Sequence, residues 1–424
     1  MTTVNYPTRR LQAIHDHTSS RPSRTKGFEE LVTRLPTGER LTHFMGATGP
    51  QIRMDGKPIL DYQVLNDSVT LELTSVNTEF EGTTQHLPKY NVLKVSSSEG
   101  IPIPAFWASI YALFTLYREQ EQLPIILHSA INSLELASYL LDSGLGRLYP
   151  IEDRAPRVLE RDVYFISRAA FWQAAGTEGY HTHSWLRDPR RPIPPVNSFT
   201  RSKKVIAQHP VRPSKPTPGQ LLYQRYCTHV GQFLEIHYFD IDGVSDTVKR
   251  EDGVSRHLAA FNKWHNDDRV NTAWGERGGY EKHRKYIEEV MADPHVLPSM
   301  MSWDGELMGY CEIMYTREDH VAQHYPEGIM VGDWERNVHI LTGEQKFLGN
   351  GRAAIYLRCM LHYIFLSDPR TIRACGEPDW KNAGVHKAAT DAGFIQEVCF
   401  DFPYKRSSLL LVTRARFFNK PLLW

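Results

Sequence analysis

The chain has 424 residues, enough for two or three domains. Apolar residues make up 41% and charged residues 23%, a globular composition, and the zero formal net charge gives no sign of a nucleic-acid or membrane-surface partner. No apolar run reaches the ~18 residues of a membrane span, and five scattered cysteines without a CxxC pair speak for a reducing compartment and against a zinc site.

Residues 1–26 read as a polar tail without a signal-peptide core. Arg10-Leu11 followed five residues later by His17 is similar to the N-terminal peroxisomal address, with Thr18 where that pattern has Leu or Ala. Cytoplasm and peroxisome both stay open. Two HxH triplets, His15/His17 and His181/His183, lack a completing carboxylate or Cys motif and read as surface histidines, so no metal is expected.

Residues 27–186 read as an α/β domain. Strands are expected over 58–64 and 68–74, with Asn66-Asp67 at the turn between them, and again over 90–95, 124–128 and 161–167. Helices are expected over 105–119 and 130–141. Residues 187–220 hold eight prolines among many basic residues, which excludes a long helix or a central strand. That segment is a stiff linker, or an extended arm across a domain surface, and leaves open a homodimer.

From 221 onward the pattern sharpens. A strand is expected over 233–240 and helices over 254–264 and 280–291. Strands 298–303 and 306–315 flank Asp304-Gly305, a tight-hairpin signal. An apolar strand carrying His339 leads into Gly349-Asn350-Gly351, and residues 350–366 form an amphipathic helix. A short strand over 372–376, a helix over 382–392 and two closing strands complete the chain.

A glycine turn feeding a helix N-terminus is a phosphate cradle. Its candidate ligands are Lys346, Gly349, Asn350, Gly351 and Arg352. A strand-borne His339 and Asp379 at a strand exit form a candidate catalytic pair, although Asp379 could equally cap the following helix, as could Asn382. Together these features suggest a nucleotide-like cofactor and a proton to be removed beside it.

The order hairpin, strand, glycine turn, helix, strand, helix, strand, strand resembles the GNAT fold of acyl-CoA N-acyltransferases. Lys346-Phe347-Leu348-Gly349-Asn350-Gly351 is similar to that fold's pyrophosphate turn, with Lys where Gln or Arg is usual. The blocks FNKWHNDDRVNTAWGERGG, MGYCEIMY, NVHILTGEQKFLG, DPRTIRACGEPDWKNAG and FPYKRSSLLLVTRARFF, over about residues 220–418, resemble the siderophore-biosynthesis branch. The N-terminal half is similar to that of the fungal hydroxyornithine transacylases, a degenerate GNAT-like copy. The resemblance implies an acyl-CoA co-substrate, acetyl or anhydromevalonyl, and N5-hydroxyornithine as acceptor, giving a hydroxamate for iron acquisition. N6-hydroxylysine as acceptor and a silent CoA-binding scaffold are the alternatives. It further implies His339 as base, Asp379 as its partner, an oxyanion donor on the His339 strand, and an acceptor site around Trp274, Glu276 and Glu312, with Trp264 nearby.

Overall fold

The computed structural model describes residues 27–46, 49–70, 89–129, 131–148, 162–187, 196–202, 205–248 and 250–423. The expected peroxisomal address and the first HxH triplet lie outside these residues. The chain divides into two compact units, one holding the described residues to Ser184 with Tyr226–Gly231 and Leu423, the other Trp185–Arg225 with Gln232–Leu422.

The first unit is an eight-stranded sheet of β1 (Glu29–Arg34), β2 (Arg40–Met45), β3 (Pro50–Met54), β4 (Lys57–Thr70), β5 (Lys89–Ser96), β6 (Gln122–Leu127), β7 (Gly146–Leu148) and β8 (Tyr164–Ser167), ordered β1-β2-β3-β4-β5-β6-β8-β7. Among the described residues only β5 and β6 pair in parallel, and α1 (Ile103–Leu116) connects them. Every α1 residue from Ala105 to Leu116 is buried, as an all-round apolar helix requires. Helices α2 (Ser133–Asp142) and α3 (Arg168–Trp172) follow β6 and β8. The turn expected at Asn66-Asp67 does not form. β4 runs on as one strand and absorbs the irregularity as a register shift between Val64 and Ser68.

In the second unit, β9 (Asn197–Arg201) and β10 (Ile206–Pro210) form a hairpin inside the proline-rich segment. Its continuation is pinned by a buried fork, in which Arg212 Nε and Nη2 each donate to a Glu318 carboxylate oxygen at 2.6 Å. The segment is therefore built into this unit as an arm.

The second sheet contains β11 (Leu221–Cys227), β12 (Gln232–Tyr238), β13 (Val296–Trp303), β14 (Glu306–Tyr315), β15 (Arg336–Thr342), β16 (Arg373–Gly376), β17 (Ile395–Asp401) and β18 (Arg406–Thr413). Its order is β11-β12-β13-β14-β15-β16-β18-β17, the same as in the first unit, again with one parallel pair, β15 and β16. Asp304 and Gly305 both take positive φ (48° and 80°), which closes the β13–β14 hairpin as expected. Helices α4 (Arg256–His265), α5 (Asp268–Trp274) and α6 (Tyr280–Ala292) enter between β12 and β13, where the first unit goes straight from β2 to β3. The parallel crossover is α7 (Arg352–Ser367), and α8 (Ala383–Asp391) and α9 (Arg414–Asn419) complete the unit. The two sheets thus share one topology, and the helical insertion α4–α6 distinguishes the second.

Candidate active site

β15 and β16 pair at only two positions, Arg336↔Ala374 and Asn337↔Cys375. Beyond them no register joins the strands, and the sheet opens between β15 and the chain leaving β16. His339 stands two residues past the last pair on β15, and Glu377 stands two residues past it on the other side. Glu377 Oε1 lies 2.6 Å from His339 Nε2, so this one contact spans the opening.

The other face of the ring is equally committed. Glu312 on β14 is the register partner of His339, which puts both side chains on one sheet face. Glu312 Oε2 accepts from His339 Nδ1 at 3.1 Å, and its Oε1 accepts the hydroxyls of Tyr286 (2.6 Å) and Tyr310 (2.9 Å). Both carboxylates are buried, Glu312 and Glu377 each 5% exposed, whereas the imidazole side chain keeps 32% of its surface open.

This arrangement fixes the charges. Burial alone would lower the His339 pKa, but the Glu377 charge and the hydrogen bonds to Glu312 and Glu377 outweigh it and hold it well above 6.5. Burial would raise both carboxyls, yet His339 holds each below the ordinary carboxylate range, with Tyr286 and Tyr310 adding to the effect at Glu312 and Lys405 at Glu377. The resting site is carboxylate, imidazolium, carboxylate, with one net negative charge. His339, expected as a base with one carboxylate partner, instead has a carboxylate on each ring nitrogen.

The expected pairing of Asp379 with His339 is not what the structure shows. β16 ends at Gly376, and Pro378 carries the chain into a turn where Asp379 bridges Ser407. Its exposed carboxylate accepts the Lys381 N–H at 2.8 Å, the turn role weighed beside catalysis. Asn382 caps α8 through the Val385 N–H, as expected. Glu377, the residue that does reach His339, was missed by sequence reasoning. The available signal was the register, since Glu377 and His339 stand equally far beyond the last parallel pair.

The acceptor-side candidates separate. Trp274 meets His339 edge to face, ring centroids 6.2 Å apart, and walls the site. Glu276 is instead engaged by Lys282 at 3.0 Å. Glu312 was expected in the acceptor site, but its oxygens are taken by the two tyrosines and His339. Trp264 is core, 1% exposed, with its indole N–H on Glu344.

At the glycine turn, Gly349, Asn350 and Gly351 all take left-handed φ (80°, 50° and 71°), and Gly351 begins α7 without a side-chain cap. A Cβ at Gly349 or Gly351 would meet nothing within 4 Å, so the ground above the turn is open to a ligand. Lys346 is exposed and paired with Glu306. Arg352 turns toward the sheet, with Nη2 on Gln232 at 2.9 Å and its guanidinium over Trp303. The Arg352 side chain is thus held at the sheet and not over the turn. Among the described residues, no three His, Cys, Asp or Glu side chains gather as a metal site. His181, expected at the surface, is half-buried. It packs on Trp107, and burial pushes its pKa to about 4.

The first unit lacks these parts. Counting from its last parallel pair, Val95↔Leu127, Ser97 and Ser129 stand where His339 and Glu377 do. Its crossover helix starts behind Pro102 with Pro104 in the first turn, and these prolines have no N–H to offer a phosphate.

Comparison with known proteins agrees with this geometry. A family model described as an acetyltransferase (GNAT) domain matches residues 253–402. Acyltransferase ato1 of Omphalotus olearius is 36% identical over 327 residues, covering 75% of this chain and 77% of the relative. Acyltransferase fer5 of Mycosarcoma maydis is 34% identical over 331 residues, covering 76% and 71%. Hydroxyornithine transacylase SID3 of Ajellomyces capsulatus is 31% identical over 329 residues, covering 74% and 71%. The chain is an acyl-CoA-dependent N-acyltransferase and belongs to the siderophore-biosynthesis branch of the GNAT superfamily.

Proposed function

We propose that this enzyme transfers an acyl group from acyl-CoA to the hydroxylamine nitrogen of N5-hydroxy-L-ornithine. The names of the Ajellomyces relative and of a Beauveria bassiana transacylase support this acceptor, and the latter, which specifies cis-anhydromevalonyl coenzyme A, supports anhydromevalonyl-CoA as donor, with acetyl-CoA as the second candidate.

The observation that carries the chemistry is Glu377. One of its oxygens holds His339, and the other, Oε2, is buried without a donor among the described residues. A hydroxylamine nitrogen is less basic than an amine and stays largely neutral at pH 7, so it attacks the thioester carbonyl directly in a ternary complex. The C–N bond forms, the C–S bond breaks, and CoA leaves as the thiolate. The nitrogen proton passes to the Glu377–His339 pair, which titrates as one unit, and then to the thiolate. Glu312 and its two tyrosines keep the ring oriented. The Val338 N–H is taken by Asn337 Oδ1, so the oxyanion donor is a backbone N–H of β15 beyond Val338, worth about 3 kcal/mol by the usual effect of such a donor. The turn at Gly349–Gly351 takes the CoA pyrophosphate. Asp379, exposed two residues beyond Glu377, is the candidate for the charged end of the acceptor.

The test is a competition assay offering acetyl-CoA and anhydromevalonyl-CoA with hydroxyornithine and hydroxylysine, read by product mass. A hydroxamate of hydroxyornithine is expected to dominate. Turnover only with hydroxylysine would replace the acceptor, and no CoA release with either would refute the reading.

A further inference from the structure

Beyond Gly376 the chain leaves β15 but keeps to β18. The Ser408 N–H donates to the Pro378 carbonyl at 3.0 Å, and the Trp380 N–H donates to the Arg406 carbonyl at 3.2 Å. Bonded and unbonded partners alternate along an antiparallel pair. The carbonyl of Glu377, one residue before Pro378, therefore turns away from β18 and toward the opening, where β15 no longer pairs. A main-chain carbonyl in that place needs a donor from outside the sheet. Lys405 supplies it, with Nζ 3.0 Å from the Glu377 carbonyl oxygen.

The local fold puts Lys405 there. The two-residue turn Pro403-Tyr404 joins β17 to β18 and is closed by the Phe402 N–H on the Lys405 carbonyl at 2.9 Å. Phe402 is core, 6% exposed, and the Lys405 ammonium lies 5.5 Å from its ring centroid. The half-buried lysine stem thus runs over this ring to reach Glu377.

Its charge acts on the same residue. Burial would raise the Glu377 carboxyl, His339 outweighs this, and Lys405 and then His320 add to the lowering. His320 is engaged by Asp319 at 3.3 Å and by the Tyr404 hydroxyl at 3.2 Å. The other titratable groups facing Glu377, Tyr404 and Cys375, are weak acids pushed up in pKa, by burial first and by the Glu377 charge as well.

We propose that Lys405 is a positioning residue for acyl transfer. Its ammonium fixes the Glu377 main chain where β15 and β16 part and balances the net negative charge of the Glu312–His339–Glu377 group. The effect on turnover rests on the acyl-transfer reading, whereas the contact and its charge do not.

Lys405→Met keeps the stem over Phe402 and removes both donor and charge, and Lys405→Arg keeps both. In an isotope-edited NMR titration of glutamate carboxyls, the Glu377 signal is the one lost in E377Q. Its midpoint should rise by about one unit in K405M and stay near wild type in K405R. In CoA-release assays with acyl-CoA and hydroxyornithine, the acid limb of kcat/KM should move up with it in K405M. On the level part of the profile kcat should fall about tenfold, because Glu377 is no longer held in place, while CoA affinity holds. K405R should recover most of the loss. A Glu377 midpoint or an acid limb in K405M equal to wild type, or a K405R no better than K405M, would overturn the proposal. CoA release by none of the three proteins would sink the acyl-transfer reading instead, and the NMR titration would still decide the role of Lys405.

Discussion

Glu377 Oε1 lies 2.6 Å from His339 Nε2 across the gap where β15 and β16 part, and this contact sets the protonation state of the site. With Glu312 on the opposite ring nitrogen, the imidazole is a held cation.

That arrangement predicts an unusual pH profile. A lone histidine base would give an acid limb in kcat/KM near its ordinary pKa of about 6.5. Here the resting site already holds the His339 proton and the accepting carboxylate, Glu377, is held below the ordinary range, so activity should stay level through that region and fall only at lower pH, where Glu377 protonates. Glu312→Gln removes one of the carboxylates that raise the His339 pKa, so the loss of the imidazolium in an NMR titration should move to lower pH. An acid limb near 6.5 in the wild type would contradict the assignment.

Stability carries the same signature. The His339 pKa is raised on folding, so its contribution is full below the unfolded value and is lost as pH rises through the folded one. The carboxyls of Glu312 and Glu377 are lowered on folding, so theirs is present above their unfolded values and lost as pH falls through the folded ones. His339→Leu leaves two buried carboxylates facing each other and should destabilise the fold by about 3–5 kcal/mol at pH 7, read by urea unfolding. Unchanged stability would mean the site is wetter than its geometry implies.

The fold was largely legible because its signals are local. Asp304-Gly305 names its own hairpin, and the apolar period of residues 350–366 names α7. The glycine run tells where the crossover helix starts. The repeated sheet order was suggested by resemblance and appears in full only in the strand pairing. What stayed hidden depends on register between distant strands. Glu377 and Asp379 are two residues apart in one motif, and nothing in Glu-Pro-Asp says which one meets His339. The answer depends on β16 ending at Gly376 and on Pro378 turning the chain away. Lys346 and Arg352 looked like phosphate ligands by position, but Glu306 and Gln232 hold their side chains.

The glycine turn makes its own prediction. Gly351→Ala forces a left-handed backbone on a residue with a Cβ, costing about 1 kcal/mol, and puts a methyl into the open ground above the turn. CoA affinity should fall about tenfold in a calorimetric titration, with kcat at saturating donor little changed. An unaltered affinity would move the pyrophosphate elsewhere.

The proline-rich arm should prove structural. Glu318 is buried against Arg212, with His209 Nδ1 also 3.1 Å from its Oε1. Glu318→Ala strands the Arg212 charge and should cost about 3–5 kcal/mol in denaturant unfolding. A loss under about 1 kcal/mol would mean the arm is a loosely held linker.

The comparison of Glu377→Gln with Asp379→Asn tests the central claim most directly. With acyl-CoA and hydroxyornithine, CoA release by E377Q should fall by about 10²-fold or more in kcat while CoA affinity holds. D379N should keep the His339 protonation state, seen as unchanged imidazole NMR shifts, and lose mainly in KM for the acceptor. Wild-type turnover in E377Q, or loss of the His339 cation in D379N alone, would contradict the assignment of Glu377 as the residue that shares the proton.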